Sequence, residues 1–383
     1  MINKFFPVIV GSLILLISFI KVFCSNDTEA RNQHSCSTFL LSLEGNLLVG
    51  HNLDDYIEVP GRVVVNKRGV KKENISWDDI GSFWGRSESS PRIRWISKYG
   101  SITYNTFGKE FIDGGMNEAG FYVGEMTCFG TQYPKNDSLP KFYHHQWMQY
   151  LLDNYATVEE AVGSLRNALI DGHCQWHFFI ADRNGSSAVI EFMDVRSAVR
   201  QGDNLPIKAL CNRCYSCELD SLKAYQGFGG KRIIDFNDST DDKRFVWAAA
   251  MLEDSNSLKI GHAYQYAFSI LRQLGIGNNK WSLVYDLKNL TMYFHTYRCR
   301  QIKSLNFSSF DFSCSTPALI LDIHRDVAGN VADQFVPYSH AANTEFIKSV
   351  WSEIDFGFFG NTFFKPAIVK RLSSYAKDFS CTD

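Results

Sequence analysis

The stretch HSCSTFLLSLEGNLLVGHNLDDY, residues 34–56, sets a thiol at Cys36, an imidazole at His51 and the carboxylates of Asp54 and Asp55 within one short segment. Apolar runs on either side of Glu44-Gly45-Asn46 predict a β-hairpin, with Cys36 at the mouth of its first strand and Gly-His-Asn-Leu-Asp-Asp closing the second. A cysteine in that place supports two readings. If the bond between Ser35 and Cys36 is cut, one residue offers both a thiol and a free α-amine. The amine, with a reference pKa near 8, can take the proton of a thiol whose own pKa is about 8.5. Alternatively, Cys36 is half of a disulfide. Spacing alone leaves both open.

The first reading needs a leader that can be removed. Lys4, the apolar run FFPVIVGSLILLISFI and a small-residue exit around Cys24 and Ser25 have the layout of a cleavable signal peptide over residues 1–24, with 25–35 as a short propeptide and 36–383 as a single catalytic domain. The other reading is a retained membrane anchor, because the run approaches the lower limit for spanning a bilayer. Cleavage gives an exported chain without stable membrane insertion, secreted or endolysosomal in a eukaryote and periplasmic in a bacterium. Ten cysteines suit an oxidising compartment, and setting aside Cys24 and Cys36 leaves eight that could pair in a connectivity the sequence does not reveal. Asn-x-Ser/Thr sequons at Asn26, Asn74, Asn136, Asn184, Asn237, Asn289 and Asn306 point to a glycosylating pathway, with Asn184-Gly185 expected in a tight turn.

Composition narrows the partners. The chain is 45% apolar, with 30 Phe, 17 Tyr and 8 Trp, enough for a substantial core. A formal net charge of −2, with no basic block, argues against nucleic acid and anionic membrane surfaces. Cys211, Cys214 and Cys217 have metal-like spacing but no second pair nearby, which favours disulfides or thiols over zinc. His173 and His177 in HCQWH share no helical face in a strand-like segment, so a structural role is expected. The GFGG at 227–230 lacks the lysine and hydroxyl of a phosphate loop. No metal or cofactor is called for.

The elements that must position Cys36 read as antiparallel strands from residue 37 to about 128, helices over 141–170, and a hairpin across Asn184-Gly185 in WHFFIADRNGSSAVIEF. Thr157 and Glu160 form a predicted capping box. Helices follow at 241–253 and 259–274, then the hairpin WSLVYDLKNLTMYFHTY, further strands, and a helix near 341–352. Two clusters of strands separated by helix pairs imply an α+β fold, with two stacked sheets covered by helices on both outer faces.

Cys36, the hairpin and GHNLDD resemble the opening of the choloylglycine hydrolase family, which includes bile salt hydrolases and penicillin V acylases. The similarity continues in order through DGGMNEAGFYVG, WHFFIADRNGSSAVIEF, ALCNRCYSCELDSL, KRFVWAAAML, WSLVYDLKNLTMYF and DFSCSTPALILDI. The resemblance implies a four-layer αββα sandwich of the Ntn-hydrolase type and a cofactor-independent amidase, with a small-molecule amide as substrate and possible homo-oligomers. It implies that Cys36 is the nucleophile, Asp54 the carboxylate near the N-terminal amine, Asn212 a lining residue of the oxyanion site, and Arg244 the buttress of nucleophile and carboxylate. An acyltransferase on the same fold and a catalytically lapsed binding protein are the rival readings.

Three positions depart from the family pattern: its arginine after the hairpin glycine is His51, the asparagine that follows its Asn-Glu-x-Gly segment and lines the substrate site is Thr127, a poorer oxyanion donor, and its Thr-Asn-Pro loop is Cys211-Asn212-Arg213. Tyr56 and Trp84 are candidates to line an acyl pocket. If His51 lies beside Cys36, its imidazolium would favour the thiolate below a pKa of about 6.5, which predicts an acidic activity optimum.

Overall fold

The computed structural model describes residues 34–55, 58–82, 88–136, 138–238, 243–255, 262–275, 277–354 and 357–382. The signal segment, nearly all of the propeptide, Tyr56 and Trp84 lie outside them. The hairpin forms as the sequence predicts. β1 (His34–Leu43) and β2 (Asn46–Asp55) pair from end to end, with Cys36 opposite Leu53 and Thr38 opposite His51. Glu44 and Gly45 close the loop with φ of 50° and 81°, the left-handed pair that matches the twist of a two-residue hairpin.

The further strands of the two large sheets are β3 (Arg62–Asn66), β4 (Ser101–Asn105), β5 (Gly114–Asn117), β6 (Tyr122–Thr127), β7 (Trp176–Ala181), β8 (Ser187–Met193), β9 (Arg196–Gln201), β10 (Ala209–Leu210), β11 (Asn279–Asp286), β12 (Thr291–Thr296), β13 (Lys303–Asn306), β14 (Leu319–Asp322), β15 (Gly329–Asn330) and β16 (Val336–Pro337). One sheet runs β10-β1-β2-β11-β12-β13-β15 and the other β9-β8-β7-β6-β5-β4-β3-β14-β16. Neighbours are antiparallel except for β13 and β15. The main helices are α1 (His144–Asn154), α2 (Val158–Ser164), α3 (Tyr215–Leu222), α4 (Arg244–Asp254), α5 (Ala263–Leu274), α6 (His340–Ser352) and α7 (Lys365–Tyr375). Thr157 and Glu160 cap α2 reciprocally, as their spacing requires.

Side-chain alternation sorts each strand between two environments. Tyr104 and Tyr122 of the second sheet meet His51, Trp281 and Tyr285 of the first, forming an aromatic layer between the sheets. On the opposite face of the first sheet, Asn52 donates to the carbonyl of Leu271 in α5 at 2.7 Å, fixing that helix against β2. Val123, Phe178, Ile180 and Ile190 carry the outer face of the second sheet, covered by Trp147, Met148 and Leu151 of α1 and by Val158 and Ala161. This is the expected αββα layering. A third apolar cluster joins α6 and α7 through Phe346, Trp351, Ile368 and Leu372 to Phe111 and Tyr143.

Several expectations are corrected. Residues Lys141–Tyr143, read as the start of a helix, form a short strand parallel to Leu169–Asp171, and α1 begins only at His144. Of the eight cysteines that could pair, Cys214 bridges Cys217 and Cys314 bridges Cys381, while Cys128 and Cys299 are thiols; Cys36, set apart from these, is a thiol too. Asn74 is buried and its amide donates to the Lys141 carbonyl at 2.7 Å, so that sequon is closed to a glycan in this fold.

Gly50 marks where β2 has no room for a side chain. A Cβ there would lie 2.3 Å from Cζ of Phe39, whose ring crosses the strand. Gly50→Ala should destabilise the protein by about 1–3 kcal/mol, the usual range for overpacking. In urea denaturation, Phe39→Leu in the same chain should recover part of that loss, and strictly additive effects would show that the two sites do not touch.

Candidate functional site

The four residues assigned by resemblance come from four segments and meet at one end of the first sheet. Cys36 sits on β1 and is 2% exposed. Arg244, at the first turn of α4, is 1% exposed and donates from Nη1 to the backbone carbonyl of Cys36 at 3.2 Å. The same nitrogen lies 3.6 Å from Oδ2 of Asp54, near the end of β2. Nη2 donates to the side-chain oxygen of Asn212, in the loop after β10. Asn212 uses its own amide to donate to the carbonyl of Thr127 at 2.7 Å, at the end of β6. Thr127 therefore enters the site through its backbone, as the support of Asn212.

Two further groups fix this frame: Asn279, which the sequence did not single out, and His177, for which it predicts only a structural role. Asn279, at the start of β11, donates to Oδ1 of Asp54 at 3.1 Å. His177 on β7 meets the carbonyl of Cys211 at 2.7 Å through Nε2, and its Nδ1 faces Glu191 at 3.4 Å, while Glu191 also accepts the N–H of Tyr215 at 2.8 Å. Burial opposes charge on His177, but Cys128 and Glu191 outweigh it and raise its pKa to about 10. The loop that carries Asn212 is thus clamped from its Cys211 side by a histidine held on a carboxylate.

The third addition is Glu125. It breaks an otherwise apolar run in FYVGEMTCF, which is the signal that could have marked it. Its Oε2 is buried without a hydrogen-bond partner among the described residues, and burial, with Asp113 next, pushes its pKa well above the carboxylate range. Glu125 also bears on the thiol. In the uncut chain burial raises the Cys36 pKa well above its ordinary value, Glu125 and Asp54 add to the shift, and the Asp54 backbone N–H and Arg244 only partly oppose it. Such a thiol is protonated at neutral pH.

His51 is where the sequence reading needs correction. It lies on the same face of the hairpin as Cys36, two residue pairs along, since it is opposite Thr38. It is fully buried, with Nδ1 3.1 Å from the hydroxyl of Tyr122 and Nε2 without a partner among the described residues. Burial lowers its pKa to about 3. Burial therefore disfavours an imidazolium that assists the thiolate between pH 5 and 8, and it weakens the physical basis of an acidic optimum. Tyr56 and Trp84 lie outside the described residues. A cavity of about 1020 Å³ opens elsewhere, lined by residues such as Lys72, Trp95, Arg371 and Tyr375, and includes none of the four assigned residues.

The buried His51 makes a prediction with a definite sign. Its folded pKa of about 3 lies below the unfolded value of about 6.5, so between these the unfolded chain binds a proton that the folded chain does not. Stability from this group is complete above pH 6.5 and is lost as pH falls through the window. His51→Gln should therefore lose less stability than the parent from pH 6.5 to pH 5, by about 2 kcal/mol at 1.36 kcal/mol per unit. Urea denaturation at the two pH values measures it. Equal losses would mean that His51 takes up a proton in the folded state.

With this geometry in place, comparisons with known proteins fall into one group. The model of the family described as acyl-coenzyme A:6-aminopenicillanic acid acyl-transferase matches residues 44–225. A penicillin V acylase of Pectobacterium atrosepticum is 27% identical over 247 residues, which is 53% of this chain and 65% of that relative. The structure of penicillin V acylase from Agrobacterium tumefaciens is similar with a TM-score of 0.67 at 21% identity, covering 79% of this chain and 98% of the other. A variant of conjugated bile acid hydrolase from Clostridium perfringens is similar with a TM-score of 0.61 at 17% identity, covering 76% and 98%. Both structures carry the two-sheet Ntn-hydrolase fold found here.

Proposed function

We propose, for a chain that belongs to the choloylglycine hydrolase and penicillin V acylase family of Ntn hydrolases, that it hydrolyses a linear, non-peptide C–N amide bond with Cys36 as nucleophile. The observation that carries this reading is the single guanidinium of Arg244, which holds the backbone of Cys36, the carboxylate of Asp54 and the amide of Asn212 together. Similarity to penicillin V acylase supports an N-acyl amide as the substrate class.

The chemistry follows from which charges are present. In the uncut chain Cys36 is dry and faces negative neighbours, so its thiol keeps its proton. Cleavage between Ser35 and Cys36 creates an α-amine one residue's length from the sulfur. That amine accepts the thiol proton, and the resulting ammonium is a cation beside the thiolate, with Asp54 as its counter-charge. The thiolate attacks the amide carbonyl and a tetrahedral oxyanion forms, stabilised by the Asn212 amide and backbone N–H groups. The α-ammonium protonates the departing nitrogen as the C–N bond breaks. The amine, neutral again, takes a proton from water, which attacks the thioester and releases the acid and the thiol. Because His51 stays neutral, the pH dependence belongs to the α-amine and the thiol.

An exported chain suits this scheme, because the leader in residues 1–24 and the removal of 25–35 would uncover Cys36, and sequons outside the buried Asn74 fit a secretory route. A second reading has one observation in its favour: the matched family model is described as an acyl-transferase. An amine in place of water at the thioester step gives that outcome, and product analysis separates the two.

Intact-mass measurement of active protein should give a chain that begins at Cys36, and full activity in a chain that retains Ser35 would refute the amine as base. Cys36→Ala should abolish turnover with the melting temperature preserved. Asn212→Ala should lower kcat by about 10²–10³ with little change in KM, because the oxyanion develops only toward the transition state. A raised KM at unchanged kcat would make Asn212 a binding contact instead.

A further inference from the structure

A second cluster of ligating side chains lies apart from Cys36, at the edge of the outer helix layer. The parallel pairing of Lys141–Tyr143 with Leu169–Asp171 places Asp171 opposite Tyr143. The residues that follow each strand therefore emerge side by side: His144 at the start of α1, and Gly172, His173 and Cys174 on the other strand. The two chains are packed so closely that a Cβ on Gly172 would lie 1.5 Å from Cδ2 of His144.

His144 is fully buried, and neither of its ring nitrogens has a hydrogen-bond partner among the described residues. Leaving buried polar atoms unmet costs about 1–3 kcal/mol, so a folded chain that keeps an imidazole there invites a ligand for it. The ring is held rather than loose: it packs 4.1 Å from the Trp176 ring and 4.6 Å from that of Tyr143, centroid to centroid. His173 is held in turn, 4.5 Å from Trp77, with its Nδ1 3.5 Å from the Tyr143 hydroxyl. One ligating atom each from His144, His173 and Cys174 lies within 4.8 Å of the other two. Ligands at 2.0–2.3 Å from a common ion stand about 3.5 Å apart, a difference that side-chain rotation can close.

Among the described residues, a second such set, Cys128, His177 and Glu191, differs in its partners. There His177 already serves the Cys211 carbonyl and Glu191, and Glu191 serves Tyr215, so the hydrogen bonds are met within the protein. His144 has no such arrangement.

We propose that His144, His173 and Cys174 form a site for one thiophilic cation, Zn²⁺, which ties the start of α1 to the end of the neighbouring strand. Two imidazoles and a thiolate suit Zn²⁺ rather than Mg²⁺ or Ca²⁺, which take oxygen ligands. The proposal is independent of the amidase reading and concerns the stability of the outer layer.

The test uses the full chain, stripped with a chelator under reducing conditions and titrated with Zn²⁺ or with Co²⁺ as a spectroscopic probe. One Zn²⁺ per chain should survive dialysis and raise the melting temperature, and Co²⁺ should give a thiolate charge-transfer band. His144→Phe and Cys174→Ser should each lose the bound Zn²⁺, and Cys174→Ser should also lose the band. Should His144→Phe fail to fold, Cys174→Ser decides the matter alone, since Cys174 is only partly buried. No retained Zn²⁺ in the parent overturns the proposal. Equal Zn²⁺ retention by parent and both variants also overturns it, assigning the binding to other histidines.

Discussion

A cation buried at 1% exposure is tolerated only where its donors are met, and Arg244 meets them on three separate segments: the backbone of β1, the carboxylate of β2 and the amide in the loop after β10. The guanidinium is a planar fork with fixed donor directions, so satisfying it fixes where those segments stand relative to one another. The rest of the fold serves that requirement. The hairpin sets β1 against β2, α4 delivers the arginine from the helix layer, and Thr127, Cys211 and His177 hold the Asn212 loop in place.

On the proposed mechanism, the same buried setting would keep an uncut chain idle. A thiol in a dry interior beside Glu125 and Asp54 resists ionising, and Arg244 is already engaged by several acceptors. On the proposed mechanism, a positive charge at the nitrogen of Cys36 would change that balance while keeping the hairpin register, because the pairs from Cys36–Leu53 to Leu43–Asn46 all lie on the retained side of the cut. Activation would then lie in electrostatics rather than in refolding.

Much of this was legible in the sequence, because alternation, turn residues and capping boxes are local. The hairpin at Glu44-Gly45, the helix started by Arg244 and the capped α2 follow from residues within a few positions of one another. What the sequence hid depends on distant partners. His51 reads as a titratable group until Tyr104 and Tyr122 of the other sheet are seen to bury it. Cys314 and Cys381 are 67 residues apart and nothing local pairs them, whereas Cys214 and Cys217 are joined within one turn. His177 has the structural role its segment predicts, clamping the Asn212 loop, but that His173 stands with His144 outside the second sheet depends on the register of Lys141–Tyr143 with Leu169–Asp171, a tertiary fact.

Trapping the acyl-enzyme tests the role of Cys36 most directly. The mature protein is mixed with an N-acyl amide, quenched in acid during turnover, and its peptides are mapped by mass. The expected result is the acyl mass on the peptide whose first residue is Cys36, lost again when the quench is delayed until substrate is exhausted. Turnover with the acyl group on another residue would contradict Cys36 as the nucleophile.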